Sequence, residues 1–218
     1  MKIYAHRGFS HKYPEASRLA YEKATEAGAD GFECDIRLTN DGVPVCFHDR
    51  STKRISGRNL VISKSKLADL RREVDVITLD ELIALASQSG RDLLIETKHP
   101  VRSRGRVERE VLRRVTGTKS PQRITLISFS ILATFRMHRS YSDVGYIIAR
   151  WWRALFIPTK LVAVDIELYR KSNFVRKRLR GKEIFLWTVN EESDVGLVKT
   201  WPIAAVITDR PDLDFRLR

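Results

Sequence analysis

Ionisable side chains interrupt apolar, strand-like runs at several places along the chain. The second run carries Glu33 and Asp35, two residues apart, so both carboxylates point to one face of a strand. A later run ends in Glu96, and three converging carboxylates repel one another unless a cation lies between them. Because oxygen ligands select a hard divalent ion, we expect one Mg²⁺ or Ca²⁺ at these three residues.

Two histidines and two cationic side chains accompany the carboxylates. His6 and Arg7 end the first strand-like run, His48 follows a strand that returns beside the second, and Lys98 shares a strand face with Glu96. Imidazoles exchange protons near neutral pH, and guanidinium and ammonium groups bind phosphate oxygens. The set describes a site that cleaves a phosphoester, with the metal polarising a phosphoryl oxygen and one histidine protonating the leaving alkoxide. Which histidine is the acid stays open.

A regular alternation of strand-like and helix-like runs must position these residues. Forward strands number about eight, each followed by a crossover, and most are continuous apolar runs typical of parallel sheets. The pattern predicts an α/β fold, a closed (β/α)₈ TIM barrel, with an open doubly wound sheet as the alternative. No GxGxxG follows the first strand, which disfavours that alternative. The active site of such a barrel lies at the carboxyl ends of the strands, where the residues above fall.

Local signals mark individual elements. Residues 40–42 read Asn-Asp-Gly and predict a hairpin that opens a small insertion after strand 2, roughly over 40–75. Thr78, with a glutamate three residues on, matches a helix capping box. The apolar run over 161–168 predicts a later strand. We treat residues 1–218 as one domain, because the sequence has no internal repeat and no low-complexity linker.

Composition narrows the class of protein. The net charge of +13 and pI near 10.0 suggest anionic partners: nucleic acid, phosphorylated metabolites or a membrane surface. The basic residues are scattered, apart from two stretches with helical apolar spacing, so charge alone decides nothing. The cysteines Cys34 and Cys46 are too few for a disulfide framework and are interpreted as core residues. With no spanning run or signal-peptide pattern, we expect a cytoplasmic protein.

Taken in order, the motifs resemble the glycerophosphodiester phosphodiesterase family. They are "AHRG", "GFECDIRLTNDGVPVCFHD", "TLDELIALA", "LLIETK", "ISFS", "LWTVN" and "VITDRPDL". The resemblance implies a (β/α)₈ barrel that uses a divalent cation to hydrolyse glycerophosphodiesters to glycerol 3-phosphate and an alcohol, with roles in lipid and glycerol metabolism. It places the functions on these positions: metal ligands Glu33, Asp35 and Glu96; acid–base histidines His6 and His48; phosphate-side cations Arg7 and Lys98.

Three further features leave alternatives open. Trp187, at a strand end, is assigned to the substrate site, with packing in the barrel as the alternative. Trp151 and Trp152, flanked by arginines, could form a wall for the substrate's alcohol group, an interface or transient membrane contact, or packing between outer helices. The family usually reads P-E-N-T where this chain has Ala16 in place of the asparagine, so either a substrate contact or the hydrogen bonding of the loop differs.

The leading functional hypothesis has two rivals. One is a phospholipase-D-like hydrolysis of lysophospholipids on the same scaffold. The other is a barrel that binds anions or nucleic acid without catalysis, suggested only by the charge of +13. We expect a small phosphodiester substrate and no nucleic acid. The preferred alcohol, the choice between direct water attack and a cyclic phosphate intermediate, and the oligomeric state stay open.

Overall fold

In the computed structural model, which describes residues 1–99, 105–117 and 122–215, eight parallel strands close into a barrel. The barrel strands are β1 Lys2–His6, β2 Gly31–Leu38, β4 Asp92–Thr97, β5 Ile124–Ser128, β6 Val144–Ile148, β7 Leu161–Asp165, β8 Glu183–Trp187 and β9 Ala205–Thr208. Neighbours pair in this order, and β1 also pairs with β9. The predicted (β/α)₈ barrel is therefore confirmed.

Helices connect the strands on the outside of the barrel. They are α1 Arg18–Glu26, α2 Lys53–Ser56, α3 Leu67–Arg71, α4 Leu79–Ser89, α5 Arg106–Gly117, α6 Ile131–His138, α7 Ile166–Lys171, α8 Asn173–Arg178 and α9 Glu192–Lys199. The predicted capping box opens α4: the Thr78 side chain accepts from Glu81 N, and the Glu81 carboxylate accepts from Thr78 N. No helix of the described ranges is both long and apolar enough to cross a bilayer.

Alternation along the strands separates two layers of the core. Tyr4 and Phe185 point inward, with ring centroids 5.2 Å apart, and pack with other side chains of the barrel interior. Phe32, Cys34 and Ile36 of β2 point outward and pack beneath the helices. Because side chains alternate, the residues between these outward positions must face the barrel axis.

The predicted hairpin forms and begins the insertion. Strand β3 (Pro44–Cys46) runs antiparallel to β2, with Ile36 opposite Cys46. Beyond it, α2, a 3₁₀ helix (Ile62–Lys64) and α3 pack around a small apolar cluster of their own that includes Phe47 and Leu70. Cys34 and Cys46 are buried and unpaired, as expected for core residues.

The strand predicted over 161–168 ends early, and the crossover before it is short. The run over 161–168 is not one strand: β7 ends at Asp165, whose carboxylate accepts a hydrogen bond from Leu168 N (2.8 Å) and caps α7. The crossover between β6 and β7 contains only one short 3₁₀ helix, Trp151–Leu155. This short crossover leaves aromatic side chains of the segment exposed.

The first tight turn requires a glycine, which generates a stability prediction. Gly8 has φ +79°, and an added Cβ would lie 2.6 Å from the backbone carbon of Ala20. Gly28 has a similar φ of +84° but has no described atom within 4 Å of that position. Both alanine variants bear the cost of a left-handed residue, about 1–2 kcal/mol, whereas only Gly8→Ala adds overpacking of about 1–3 kcal/mol. Urea unfolding should therefore show the larger loss for Gly8→Ala, and equal losses would contradict the packing argument.

Candidate active site

Three buried carboxylates meet at the carboxyl ends of β2 and β4. One ligand oxygen from each of Glu33, Asp35 and Glu96 lies within 4.8 Å of the others. The register explains this convergence, because Asp35 lies opposite Glu96 in the β2–β4 pair and both point into the barrel. The spacing of two residues along β2 thus brings together the oxygen cluster expected from the sequence.

Asp35 is held between two cations. Lys98 Nζ lies 2.8 Å from Asp35 Oδ1 and 2.9 Å from Glu96 Oε1, and Arg7 Nε lies 3.0 Å from Asp35 Oδ2. Burial alone would raise the pKa of Asp35, but Lys98 and Arg7 outweigh it and lower that pKa to about 2. Asp35 is therefore an anion at neutral pH.

The other two carboxyl groups have raised pKa values. Burial and the neighbouring Asp35 raise the pKa of Glu96 to about 7, and the same two causes raise that of Glu33 well above its usual range. Both groups would ionise more readily beside a cation. Three buried carboxyl groups converge here, and two of them have raised pKa values. Such an arrangement of oxygen ligands fits a hard divalent ion.

His6 is oriented from the last strand of the barrel. Its Nδ1 lies 2.6 Å from Asp209 Oδ1, and its Nε2 lies 3.9 Å from Glu33 Oε2. Asp209 is in turn held by Asn190, whose Nδ2 donates to Asp209 Oδ2 (2.6 Å), and by Ser10, whose hydroxyl donates to Oδ1 (2.9 Å). Because Nδ1 is hydrogen-bonded to a carboxylate, Nε2 is the ring nitrogen that is available to exchange a proton.

His48 has a similar support, which comes from the hairpin side. Its Nδ1 lies 2.9 Å from Asp49 Oδ1, and its carbonyl oxygen accepts two hydrogen bonds from Arg37, at 2.9 and 2.7 Å. Burial lowers the pKa of His48, and the nearby positive charges of Lys98 and Arg7 add to this effect despite the opposing Asp35. His48 is therefore largely neutral at physiological pH and able to accept a proton.

All eight residues that the sequence assigned to the site line one cavity of about 180 Å³. The cavity has a polar side, formed by the charged groups above, and an apolar side. Its lining residues are His6, Arg7, Glu33, Asp35, His48, Glu96, Lys98, Ile127, Phe129, Ile147, Ala163, Trp187, Thr188 and Ile207. The structure brings these residues together, while their individual roles stay predictions.

Trp187 and Phe129 form part of the apolar side. Their rings meet edge to face, with centroids 5.8 Å apart. Trp187 also packs against the core of the barrel, so the two interpretations of this residue are compatible. Trp151 and Trp152 do not line the cavity, and at 58% and 47% exposure neither is buried between outer helices.

Sequence reasoning missed the residues that hold the histidines. Three of them lie inside the motifs "TDRP", "WTVN" and "FHD", but the sequence indicated no function for them: Asp209, Asn190 and Asp49. Arg37 follows Asp35 by two residues, so the alternation that located the carboxylates also placed this side chain on the same face. The position of Arg37 could therefore have been predicted from the sequence. That of Asp209 could not, because Asp209 reaches His6 only when the barrel closes.

The loop around Ala16, where the family usually has asparagine, is held by backbone hydrogen bonds and by contacts of Glu15. Ala16 is buried at φ +57°, in the left-handed region that asparagine tolerates better than alanine. Its backbone N–H donates to the Arg7 carbonyl (2.8 Å), and the next residue, Ser17, caps α1. The neighbouring Glu15 contacts Arg7 Nη1 at 3.4 Å and Arg54 at 2.6 Å. None of these contacts involves the side chain of residue 16.

Carboxylates, imidazoles and cations gathered at the carboxyl ends of barrel strands suit a phosphoric diester hydrolase. Comparison with known proteins agrees. The profile of the glycerophosphoryl diester phosphodiesterase family matches residues 6–213. The chain belongs to this family, and it is an enzyme rather than a non-catalytic binding barrel.

Individual relatives span nearly the whole chain. A probable glycerophosphodiester phosphodiesterase 1 of Mycobacterium tuberculosis is 30% identical, over 96% of this chain and 89% of its own length. A glycerophosphodiester phosphodiesterase of Bacillus altitudinis is 25% identical, over 100% and 98%. The crystal structure of the Thermotoga maritima enzyme superposes with a TM-score of 0.85 at 27% identity, covering 99% of this chain and 97% of that one.

The support behind His6 can be tested by substitution. Asp209→Asn keeps the shape of the side chain but removes the charge that faces His6 Nδ1, so the imidazole is no longer fixed in one tautomer. We expect kcat for a soluble glycerophosphodiester to fall by about 10- to 100-fold with little change in KM. Asp212→Asn is the matched control, because Asp212 contacts only Lys12 among the described side chains. An unchanged kcat in Asp209→Asn would contradict a positioning role.

Acid unfolding reports on the same carboxylate. Burial raises the pKa of Asp209, but the contacts with His6 and Asn190 outweigh it and lower the pKa from 3.8 to about 2. A carboxylate with a lowered folded-state pKa stabilises the fold above its unfolded pKa, and that contribution is lost as pH falls through the folded value. The stability difference between wild type and Asp209→Asn should therefore shrink from pH 3.8 to about pH 2 in urea titrations. A constant difference across this window would disprove the assignment.

Proposed function

We propose that the protein hydrolyses glycerophosphodiesters to glycerol 3-phosphate and an alcohol, using one divalent cation, Mg²⁺ or Ca²⁺. The observation that carries the proposal is the buried cluster of Glu33, Asp35 and Glu96 in one cavity with two carboxylate-supported imidazoles. Membership in the family and the activity for which the relatives at 30% and 25% identity are named support the same substrate class.

The three carboxylates are the proposed ligands of the cation. When bound, the cation polarises a phosphoryl oxygen and offsets the repulsion among the carboxylates. The residues fit this role, since Glu33 and Glu96 have raised pKa values that nearby positive charge would lower. Arg7 and Lys98 lie at the edge of the same cluster and are proposed to hold the remaining charge of the phosphate.

The histidines are proposed to move protons. The lowered pKa of His48 suits it to accept a proton from the attacking hydroxyl, which leaves His6, hydrogen-bonded to Asp209, to protonate the leaving alkoxide. The attacking hydroxyl belongs either to water or to the substrate's own glycerol. The second route passes through a cyclic phosphate, which ³¹P NMR of the reaction distinguishes from direct hydrolysis.

The central test combines substitution with metal removal. Glu33→Gln and His48→Ala should each lower the hydrolysis of glycerophosphocholine by about 100-fold or more, because they remove a cation ligand and a proton carrier. EDTA should abolish wild-type activity, and added Mg²⁺ or Ca²⁺ should restore it, the better of the two identifying the ion. Glu110→Gln, on the outer helix α5 and outside the cavity lining, is the control. Unchanged turnover in both site variants, or full activity in EDTA, would refute the proposed roles.

The exposed aromatic residues beside the cavity favour one second candidate, phospholipase-D-like hydrolysis of lysophospholipids. A lysophospholipid shares the phosphodiester and adds an acyl chain that needs an apolar surface. Comparing kcat/KM for lysophosphatidylcholine and for glycerophosphocholine separates the two functions. A higher value for the lysolipid would replace the first proposal.

A cytoplasmic location and a part in lipid and glycerol metabolism belong to the same proposal. Cys34 and Cys46 are both buried and unpaired, which suits a reducing compartment.

A further inference from the structure

A large apolar surface is exposed near the cavity, and we call it the rim patch. It consists of Leu132, Phe135, Trp151, Trp152, Leu155, Phe156 and Phe174. Each is between 42% and 64% exposed, and together they make up seven of the eleven large hydrophobic side chains that are exposed in the described ranges. Single exposed hydrophobic residues need no explanation, but a concentration of this kind marks an interaction surface.

The rim patch is continuous across three elements. The Phe135 ring of α6 lies 6.2 Å from that of Phe156, and the Trp151 ring lies 6.3 Å, edge to face, from that of Phe174 in α8. Arg178 of α8 donates to the carbonyl of Leu155, at 3.1 Å. The fold therefore holds these side chains in one surface, and they have no described apolar layer above them.

The central segment of the rim patch starts at the same end of the barrel as the cavity. It begins three residues after β6 ends, at the carboxyl end of that strand. Within the segment, Arg153 lies over the Trp152 ring (5.1 Å) and donates to the carbonyl of Phe129 at 2.5 Å. Since Phe129 lines the cavity beside Trp187, one short chain of contacts leads from the patch to the site.

The charge around the rim patch has one sign. The three segments that carry it are 129–140, 149–160 and 172–182, which together contain ten arginines and lysines and no aspartate or glutamate. Several of these basic side chains bond to backbone carbonyls or, in one case, to Glu108. Five are exposed and have no carboxylate partner among the described residues: Arg139, Arg150, Lys160, Lys177 and Arg180.

We propose that the rim patch docks the protein on an anionic phospholipid surface, with its aromatic side chains in the headgroup region and its basic residues against lipid phosphates. Tryptophan is favoured at the membrane–water boundary, and basic groups beside exposed apolar side chains are the pattern of interfacial binding. Each nearby lysine or arginine adds attraction to an anionic leaflet. The cavity then opens beside the membrane. The docking does not depend on which diester the enzyme cleaves.

Vesicle sedimentation tests the proposal on the full chain without any catalytic step. Wild type is mixed with phosphatidylcholine vesicles and with vesicles that also contain phosphatidylglycerol, at low and high salt. We expect binding to the anionic vesicles, weaker binding in high salt, and a blue shift of tryptophan emission. The double variant Trp151→Ser with Trp152→Ser should bind at least about 10-fold more weakly. Arg150→Gln with Arg180→Gln should bind about 30-fold more weakly, since each basic residue near the surface contributes about 1 kcal/mol.

Matched controls separate the patch from general effects. Leu19→Ser with Leu197→Ser removes two exposed apolar side chains elsewhere, and Arg72→Gln with Arg113→Gln removes two exposed charges elsewhere. Both should bind as wild type does. Thermal unfolding and hydrolysis of water-soluble glycerophosphocholine without vesicles verify folding, so failure of docking is distinguishable from failure of the proposed activity.

Three outcomes would overturn the proposal. One is equal binding of patch and control variants. Another is equal binding to neutral and anionic vesicles, which would remove the role of charge. The third is a concentration-dependent dimer, seen by sedimentation velocity and lost in Trp151→Ser with Trp152→Ser, which would make a second copy of the chain the occupant.

Discussion

Asp35 between two cations is the interaction on which the site depends. A buried carboxylate without a partner costs several kcal/mol, and three together would not stay ionised inside an apolar barrel. Arg7 and Lys98 stabilise one negative charge, and the two neighbouring carboxyl groups keep raised pKa values. The result is a buried cluster in which one ionised carboxylate lies beside two carboxyl groups with raised pKa values.

The order of strands in the barrel makes this arrangement possible. β2 lies between β1 and β4, so Asp35 receives Arg7 from one neighbour and Lys98 from the other. Two of these strands change from core to site at their last two inward positions: Tyr4 is followed by His6 on β1, and Leu94 by Glu96 on β4. Hydrophobic packing of the lower barrel thus fixes where the charged groups stand.

Much of the fold and of the site could be predicted because both follow from local alternation. A period of two along β2 and β4 located the carboxylates, and an Asn-Asp-Gly turn located the hairpin that brings His48. The support for His6 could not be predicted in this way. Asp209 stands 203 residues away in sequence and reaches His6 only through closure of the barrel.

The apolar pattern also failed to predict where strand β7 ends. The run over 161–168 has the composition of a strand, but its last three residues belong to helix α7, which Asp165 caps by accepting from the Leu168 N–H. The exposure of Trp151 and Trp152 depends on a crossover reduced to one 3₁₀ turn, which sequence spacing does not reveal. In the first case a local helix cap outweighed the strand propensity of the run. In the second the shortness of the crossover decided the exposure.

Arg54, on the short helix α2 of the insertion, has a consequence for exchanging parts between related barrels. Its guanidinium contacts Asp49, which holds His48, and Glu15, which contacts Arg7. The insertion and the loop after β1 are therefore joined through Arg54, although α1, β2 and β3 lie between them along the chain. A chimaera that takes its insertion from another barrel has to bring a guanidinium to this place, or to change both segments together.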